Sequence, residues 1–191
     1  MAVHKDQRVG IFIDIQNLYH SAKNLYNARV NYKELIKSLL EGRVLIRSIA
    51  YVVKSDSTMG ESSFFGALKD AGLELRTKDL QIYPGGMKKA DWDVGMAVDA
   101  IRMAGGLDTV ILVTGDGDFI PLVDYLRWGL GREVEVAGFS RTSNGKLKEA
   151  CEKFVAIEDI PKIFMRSKKA QGNRRLERQE EASSESEETE E

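Results

Sequence analysis

One cysteine, two histidines and three prolines are all that this chain of 191 residues holds of those types. The lone Cys151 excludes an internal disulfide and any cysteine-rich metal site, so a reducing compartment is expected. A zinc centre or a Ser-His-Asp triad would have to rest on His4 or His20, a thin basis for either. Long apolar runs are also missing. No stretch approaches the roughly 20 residues that span a bilayer, and the opening "MAVHKDQRVG" lacks a signal peptide's apolar run. A cytoplasmic protein with no membrane partner is expected.

What is present suits one globular domain with a substantial core: 42% hydrophobic and 30% charged residues. The net charge of −2 hides an asymmetry, because residues 179–191 carry seven acidic and no basic side chains, which leaves +5 on residues 1–178. Residues 162–178 alone hold seven Lys or Arg against one Glu. Such a run is read as a solvated tail, or as a basic arm for nucleic acid whose acidic end competes for the same surface. The domain is therefore set at residues 1–165 and a disordered charged tail, basic then acidic, at 166–191.

Apolar periodicity predicts strands at 8–14, 44–54, 73–83, 108–114, 133–139 and 154–159. Helices are predicted after an N-cap at Asn17, over 33–41, 62–72, 91–106, 119–129 and 144–153, with a loop at 84–89. In the 91–106 helix, Met96, Ala97, Val98, Ile101 and Met103 are expected to supply much of the buried surface. Strands alternating with helices, and continuous apolar runs at 9–13 and 110–113, argue for an α/β fold with a mainly parallel sheet covered on both faces.

The run "VILVTGDGDF" (110–119) ends such a strand on two aspartates one glycine apart. Ligands of an open parallel sheet sit outside the carboxyl ends of its strands. Asp14 closes the first strand, Asp116 and Asp118 follow the strand at 108–114, and Asp91 and Asp93 open a helix leading into it. Singly, each has a structural explanation: Asp118 and Asp91 as helix caps, Asp93 as a partner of the helix dipole, Asp14 as a loop acceptor. Collectively they repel, since two carboxylates about 4 Å apart cost roughly 4 kcal/mol at an effective dielectric of 20. A cation or a shared proton would offset that. Oxygen ligands without His or Cys favour a hard ion, Mg²⁺ or Mn²⁺. Such a site suits in-line displacement at a phosphodiester. The chain has no P-loop, no G-x-G-x-x-G and no second Asp two residues after Asp14.

Three motifs, "IFIDIQNLY" with Asp14 and Asn17, "KKADWDVGMAVDA" with Asp93 and Asp99, and "VTGDGDFIPLV" with Asp116 and Asp118, resemble the NYN domain in its LabA-like branch, over about residues 8–159. The resemblance implies a Rossmann-like, PIN-like α/β/α sandwich and metal-dependent cleavage of RNA, single-stranded for preference. It implies that Asp14, Asp93, Asp116 and Asp118 hold the metal and that Asn17 orients Asp14 or the substrate. Thr114 stands where the family often has Ser or Thr, and is assigned to the substrate. "LKEACEKFVAI" looks like the closing motif, with Glu152 where Asp is commoner; little effect is expected. Asp91 is an additional acid, and Asp99 faces elsewhere round its helix.

For RNA phosphates the sequence offers Lys88, Lys89, Arg141, Lys146 and Lys148, each also readable as part of a solvated basic face. Tyr19 and Trp92 are candidates for base stacking or for the core. Two other functions fit the same chain: a catalytically silent RNA-binding or adaptor protein with this fold, and a metal-dependent phosphatase of small nucleotides. The oligomeric state is not written in the sequence.

Overall fold

The computed structural model describes residues 4–54, 58–79, 81–82, 88–89 and 91–165, with side chains left aside at 58–62, 81–82 and 88–89. The expected tail at 166–191 lies outside the described residues. In chain order the elements are β1 (Arg8–Asp14), α1 (Ile15–Tyr26), β2 (Arg29–Val30), α2 (Tyr32–Leu40), β3 (Val44–Lys54), α3 (Thr58–Asp70), β4 (Glu74–Asp79), β5 (Gln81–Ile82), β6 (Lys88–Lys89), α4 (Asp93–Ala104), β7 (Thr109–Val113), α5 (Ile120–Asp124), β8 (Glu133–Gly138), α6 (Gly145–Ala150), β9 (Lys153–Ala156) and β10 (Phe164–Met165).

Six strands form one sheet in the order β4-β3-β1-β7-β8-β9, every neighbour parallel. Both faces are covered, as the unbroken apolar strands require. On one face Val9, Ile11, Ile13, Ile111 and Val113 pack with Leu18 of α1 and Leu35 and Leu39 of α2, and with Leu68 of α3. On the other, Phe12, Val110 and Leu112 meet Met96 and Ala100 of α4, Leu122 of α5 and Leu147 of α6. The expected α/β sandwich with a mainly parallel sheet is the observed fold. The chain leaves β1 toward β3 and β4, then returns through α4 to β7 on the other side of β1. The crevice above β1 and β7 is thus the point where strand order reverses.

Several sequence expectations are corrected. The strand expected at 73–83 stops at Asp79; β5 then pairs antiparallel with β6, inside the expected loop. In α4 the buried stripe is Met96, Ala100 and Ala104, whereas Val98 and Ile101 are 47% and 39% exposed. The four-residue spacing of that stripe puts two alanines against the sheet, so the helix backbone approaches closely and its larger β-branched residues turn outward. Beyond the last expected strand, at 154–159, apolar packing continues. Ile163 is buried, and β10 pairs antiparallel with β2 so that the Phe164 ring lies 4.7 Å from that of Tyr26.

Candidate active site

Asp14 ends β1 in an extended conformation and begins α1. It, not Asn17, is the N-cap: its Oδ1 accepts the Asn17 backbone N–H at 3.1 Å. That frees the Asn17 side chain, whose Oδ1 accepts the Gly115 N–H at 3.0 Å and so fastens α1 to the loop after β7. Thr114 is buried. Its hydroxyl donates toward Asp14 Oδ2 at 3.5 Å and accepts the Asp116 N–H at 3.2 Å, which leaves it holding carboxylates in place rather than open to a ligand. Asp116 caps the short turn at Gly117–Phe119, accepting the Asp118 N–H at 3.0 Å, so Asp118 is not the cap of the helix that follows. Gly115 is closely surrounded: a Cβ there would stand 3.1 Å from Ser143 Cα and 3.4 Å from Asn17 Oδ1, so a larger residue would make these neighbours give way.

Asp93 is the first residue of α4, where the helix dipole favours a carboxylate. The cap position falls at Trp92, whose side chain makes no capping bond. Instead its indole N–H donates to the Val52 carbonyl at 3.0 Å and its ring meets Tyr51 at 5.6 Å, docking the start of α4 on β3. Trp92 is therefore largely a structural residue, with one edge toward the cavity.

Between α1 and the start of α4 lies an open cavity of about 390 Å³. Asp14, Asp91, Asp93 and Asp116 line it, together with Gln16, Asn17, His20 and Ser21 of α1 and with Trp92. The exposed Asp118 does not line it, yet its charge reaches Asp93. Burial first, and then repulsion from Asp14, Asp91, Asp116 and Asp118, raise the Asp93 carboxyl to about 6. Burial and the Asp116 charge push Asp14 up as well, against the opposing pull of its backbone hydrogen bonds. Two carboxyls that hold their protons more tightly than usual mark the cavity as a candidate functional site. The donors are all oxygens, which fits a hard divalent ion. Among the described residues, however, no three His, Cys, Asp or Glu side chains stand close enough to enclose one ion as they are.

The remaining candidates lie farther out. Asp99 turns away: it accepts from the Tyr51 hydroxyl at 3.0 Å and pairs with Arg76 at 3.5 Å. Arg141 and Lys146 are exposed on the segment after β8, which touches the Asp116 loop through the Asn144 N–H on the Gly115 carbonyl at 2.9 Å. Lys148 donates to the Ser140 carbonyl at 2.6 Å. Lys88 and Lys89 form β6, just ahead of Asp91, but their side chains lie outside the described residues. Glu152 accepts from Arg127 at 2.6 Å and from the Val134 N–H at 2.8 Å, beside the amino end of β8 and away from the cavity. Tyr19 is 40% exposed and packs edge-on to Phe64.

Sequence reasoning missed Gln16, His20 and Ser21. The signal was helical spacing: residues 16 and 20 share the α1 face that continues from Asp14. That face becomes visible only once the helix start is fixed at Ile15.

The chain matches the NYN domain family over residues 8–158. Among solved structures it is similar to the crystal structure of a protein of unknown function from Vibrio parahaemolyticus, at 30% identity and a TM-score of 0.77, over 86% of this chain and 100% of that one. Among curated proteins there is no match.

Proposed function

Because the chain belongs to the NYN domain family, whose members are generally nucleases of the PIN-like superfamily, we propose that it is a divalent-metal-dependent ribonuclease. The observation that carries this reading is the cavity into which β1, the loop after β7 and the start of α4 each deliver a carboxylate, with Asp93 raised to about 6 by burial and its acidic neighbours. The three motifs around Asp14, Asp93 and Asp116 support a place in the LabA-like branch. Residues 1–165 form the nuclease domain and 166–191 a charged tail. No described helix is long and apolar enough to cross a membrane, in keeping with a cytoplasmic site of action.

Asp14, Asp93 and Asp116, drawn closer together by the ion, would hold Mg²⁺ or Mn²⁺, with Asp118 adding its charge from outside the cavity. When bound, such an ion supplies a Lewis acid for the phosphate and an acidified water. The chain's own residues do the rest. Thr114 and Asn17 fix the positions of Asp14 and the Asp116 loop, so that the carboxylates are placed before substrate arrives. Trp92 anchors Asp93 through β3. Arg141 and Lys146, with Lys88 and Lys89, attract the phosphates of a strand toward a mouth that would otherwise repel it. A cavity of about 390 Å³ admits a nucleotide-sized group, which favours a single strand.

The test is incubation of labelled single-stranded RNA and DNA with the protein in Mn²⁺, Mg²⁺ or chelator. Cleavage of RNA with either metal, lost in chelator and in Asp14→Asn, supports the reading. Binding without cleavage would make the chain a silent RNA-binding protein, and hydrolysis of free nucleotides alone a phosphatase.

A further inference from the structure

Resting on the ribonuclease reading, we propose that His20 is a substrate-binding residue, its imidazole N–H donating to a phosphate oxygen of the strand held in the cavity. A polyanion entering this cavity meets four carboxylates: Asp14, Asp91, Asp93 and Asp116. Among the described residues that line it, His20 is the only one whose side chain can carry a positive charge. Its position follows from α1. With Asp14 as N-cap, residue 20 falls one turn beyond Gln16 on the same helix face, and both line the cavity together with Asp93 of α4.

The ring is exposed, so a strand can reach it, yet it is not adrift. The Tyr19 ring meets it edge-on at 5.5 Å with the planes 76° apart. Tyr19 is in turn backed by Phe64 at 6.4 Å and capped by the Lys23 ammonium, 5.8 Å from the ring centroid. An imidazole donates an N–H in either protonation state, so the contact persists whether the ring is neutral or charged. The acidic residues and the ion they would hold would engage the reacting phosphate, and His20, farther along α1, a phosphate of a neighbouring nucleotide. This assigns His20 to binding and not to the chemical step.

The experiment compares the full-length parent with His20→Ala and His20→Gln. Three quantities are read: steady-state cleavage of single-stranded RNA, the Mn²⁺-induced rise in melting temperature, and anisotropy of a fluorescent single-stranded RNA in chelator. His20→Ala should raise KM and the anisotropy Kd about tenfold, the scale of one hydrogen bond to a charged group, with kcat within about twofold. The Mn²⁺ response should match the parent's. His20→Gln, which keeps an N–H donor, should recover much of the loss. An unchanged KM, a loss confined to kcat, equal damage by Ala and Gln, or a lost Mn²⁺ response would each overturn the assignment. Should the parent cleave no RNA, the ribonuclease reading fails by itself; the anisotropy then decides, and equal or absent binding by parent and variant overturns the role of His20.

Discussion

The Asn17 side chain accepts the Gly115 N–H at 3.0 Å, joining two residues 98 positions apart in sequence. Together with the Thr114 hydroxyl between Asp14 and the Asp116 N–H, this bond ties the start of α1, which Asp14 caps, to the loop carrying Asp116. Asn17→Ala leaves the Gly115 N–H without its partner, at a cost of about 1 kcal/mol. Activity should fall further than stability does, by at least tenfold, because the two carboxylates lose their fixed spacing. Thermal melts and RNA cleavage on the same preparation check this; a variant that melts lower but cuts at the parental rate would show that the bond serves only the fold.

Asp116→Asn separates charge from capping. Asn retains an oxygen to accept the Asp118 N–H, so the turn at Gly117–Phe119 keeps its cap. What disappears is repulsion with Asp14 and Asp93. The variant should be more stable than the parent in chelator by on the order of 1 kcal/mol. Mn²⁺ should raise its melting point less. Melts of both proteins with and without Mn²⁺ test the sign, and a less stable variant with an undiminished metal response would contradict it.

The pH dependence follows from Asp93. Its carboxyl is raised from 3.8 to about 6, so the folded protein holds that proton more tightly than the unfolded chain does. The resulting stabilisation is complete below about pH 4 and is lost as pH rises through 6. Asp14 shifts in the same direction. Glu74 and Asp108, lowered by Arg47 and Arg8 respectively, act oppositely, but in the acid range below about pH 4. Metal-free protein should therefore lose stability between pH 4 and 6, and Asp93→Asn should flatten that decline. Cleavage should show a rising limb near pH 6 that moves lower as Mn²⁺ is increased, because ion and proton compete for one carboxylate. Chemical denaturation across this range in chelator, parent against variant, is the measurement.

Far from the cavity, Arg43 and Glu135 form a buried pair, with guanidinium-to-carboxylate distances of 2.7 and 3.0 Å. Arg43 also donates to the Leu39 and Leu40 carbonyls, closing the end of α2 onto β8. Removing one partner strands the other charge in the core, so Glu135→Leu should cost roughly 3 kcal/mol. The double variant Arg43→Met, Glu135→Leu should recover most of it. Urea titrations of the parent, both single variants and the double variant decide, and simple addition of the losses of Arg43→Met and Glu135→Leu would show that the pair is not coupled.

The carboxylates were readable in sequence because each stands at a junction with a strong local signal. Asp14 and Asp116 follow unbroken apolar runs, which only a strand covered on both faces explains. The exchange of capping roles between Asp14 and Asn17 was not readable, since it turns on backbone angles at Asp14, φ −76° and ψ 96°. The outward turn of Val98 and Ile101 depends on how closely α4 approaches the sheet, which periodicity does not encode. Pairs of two residues, such as β2 with β10, are too short to leave a pattern, and His20 acquires meaning only in the cavity it shares with Asp93.

The pairing of β1 with β7 has a temporal meaning. A ribosome releases the amino end first, so Asp14 emerges about a hundred residues ahead of Asp116. β1 reaches its other neighbour, β3, much earlier, and that half can begin to organise while its inner edge waits. The cavity takes its final lining only once Thr109–Val113 pairs with β1 and brings the Asp116 loop beside Asp14. A nascent chain that has not yet delivered β7 and the loop after it still lacks the Asp116 carboxylate that completes the lining of the cavity.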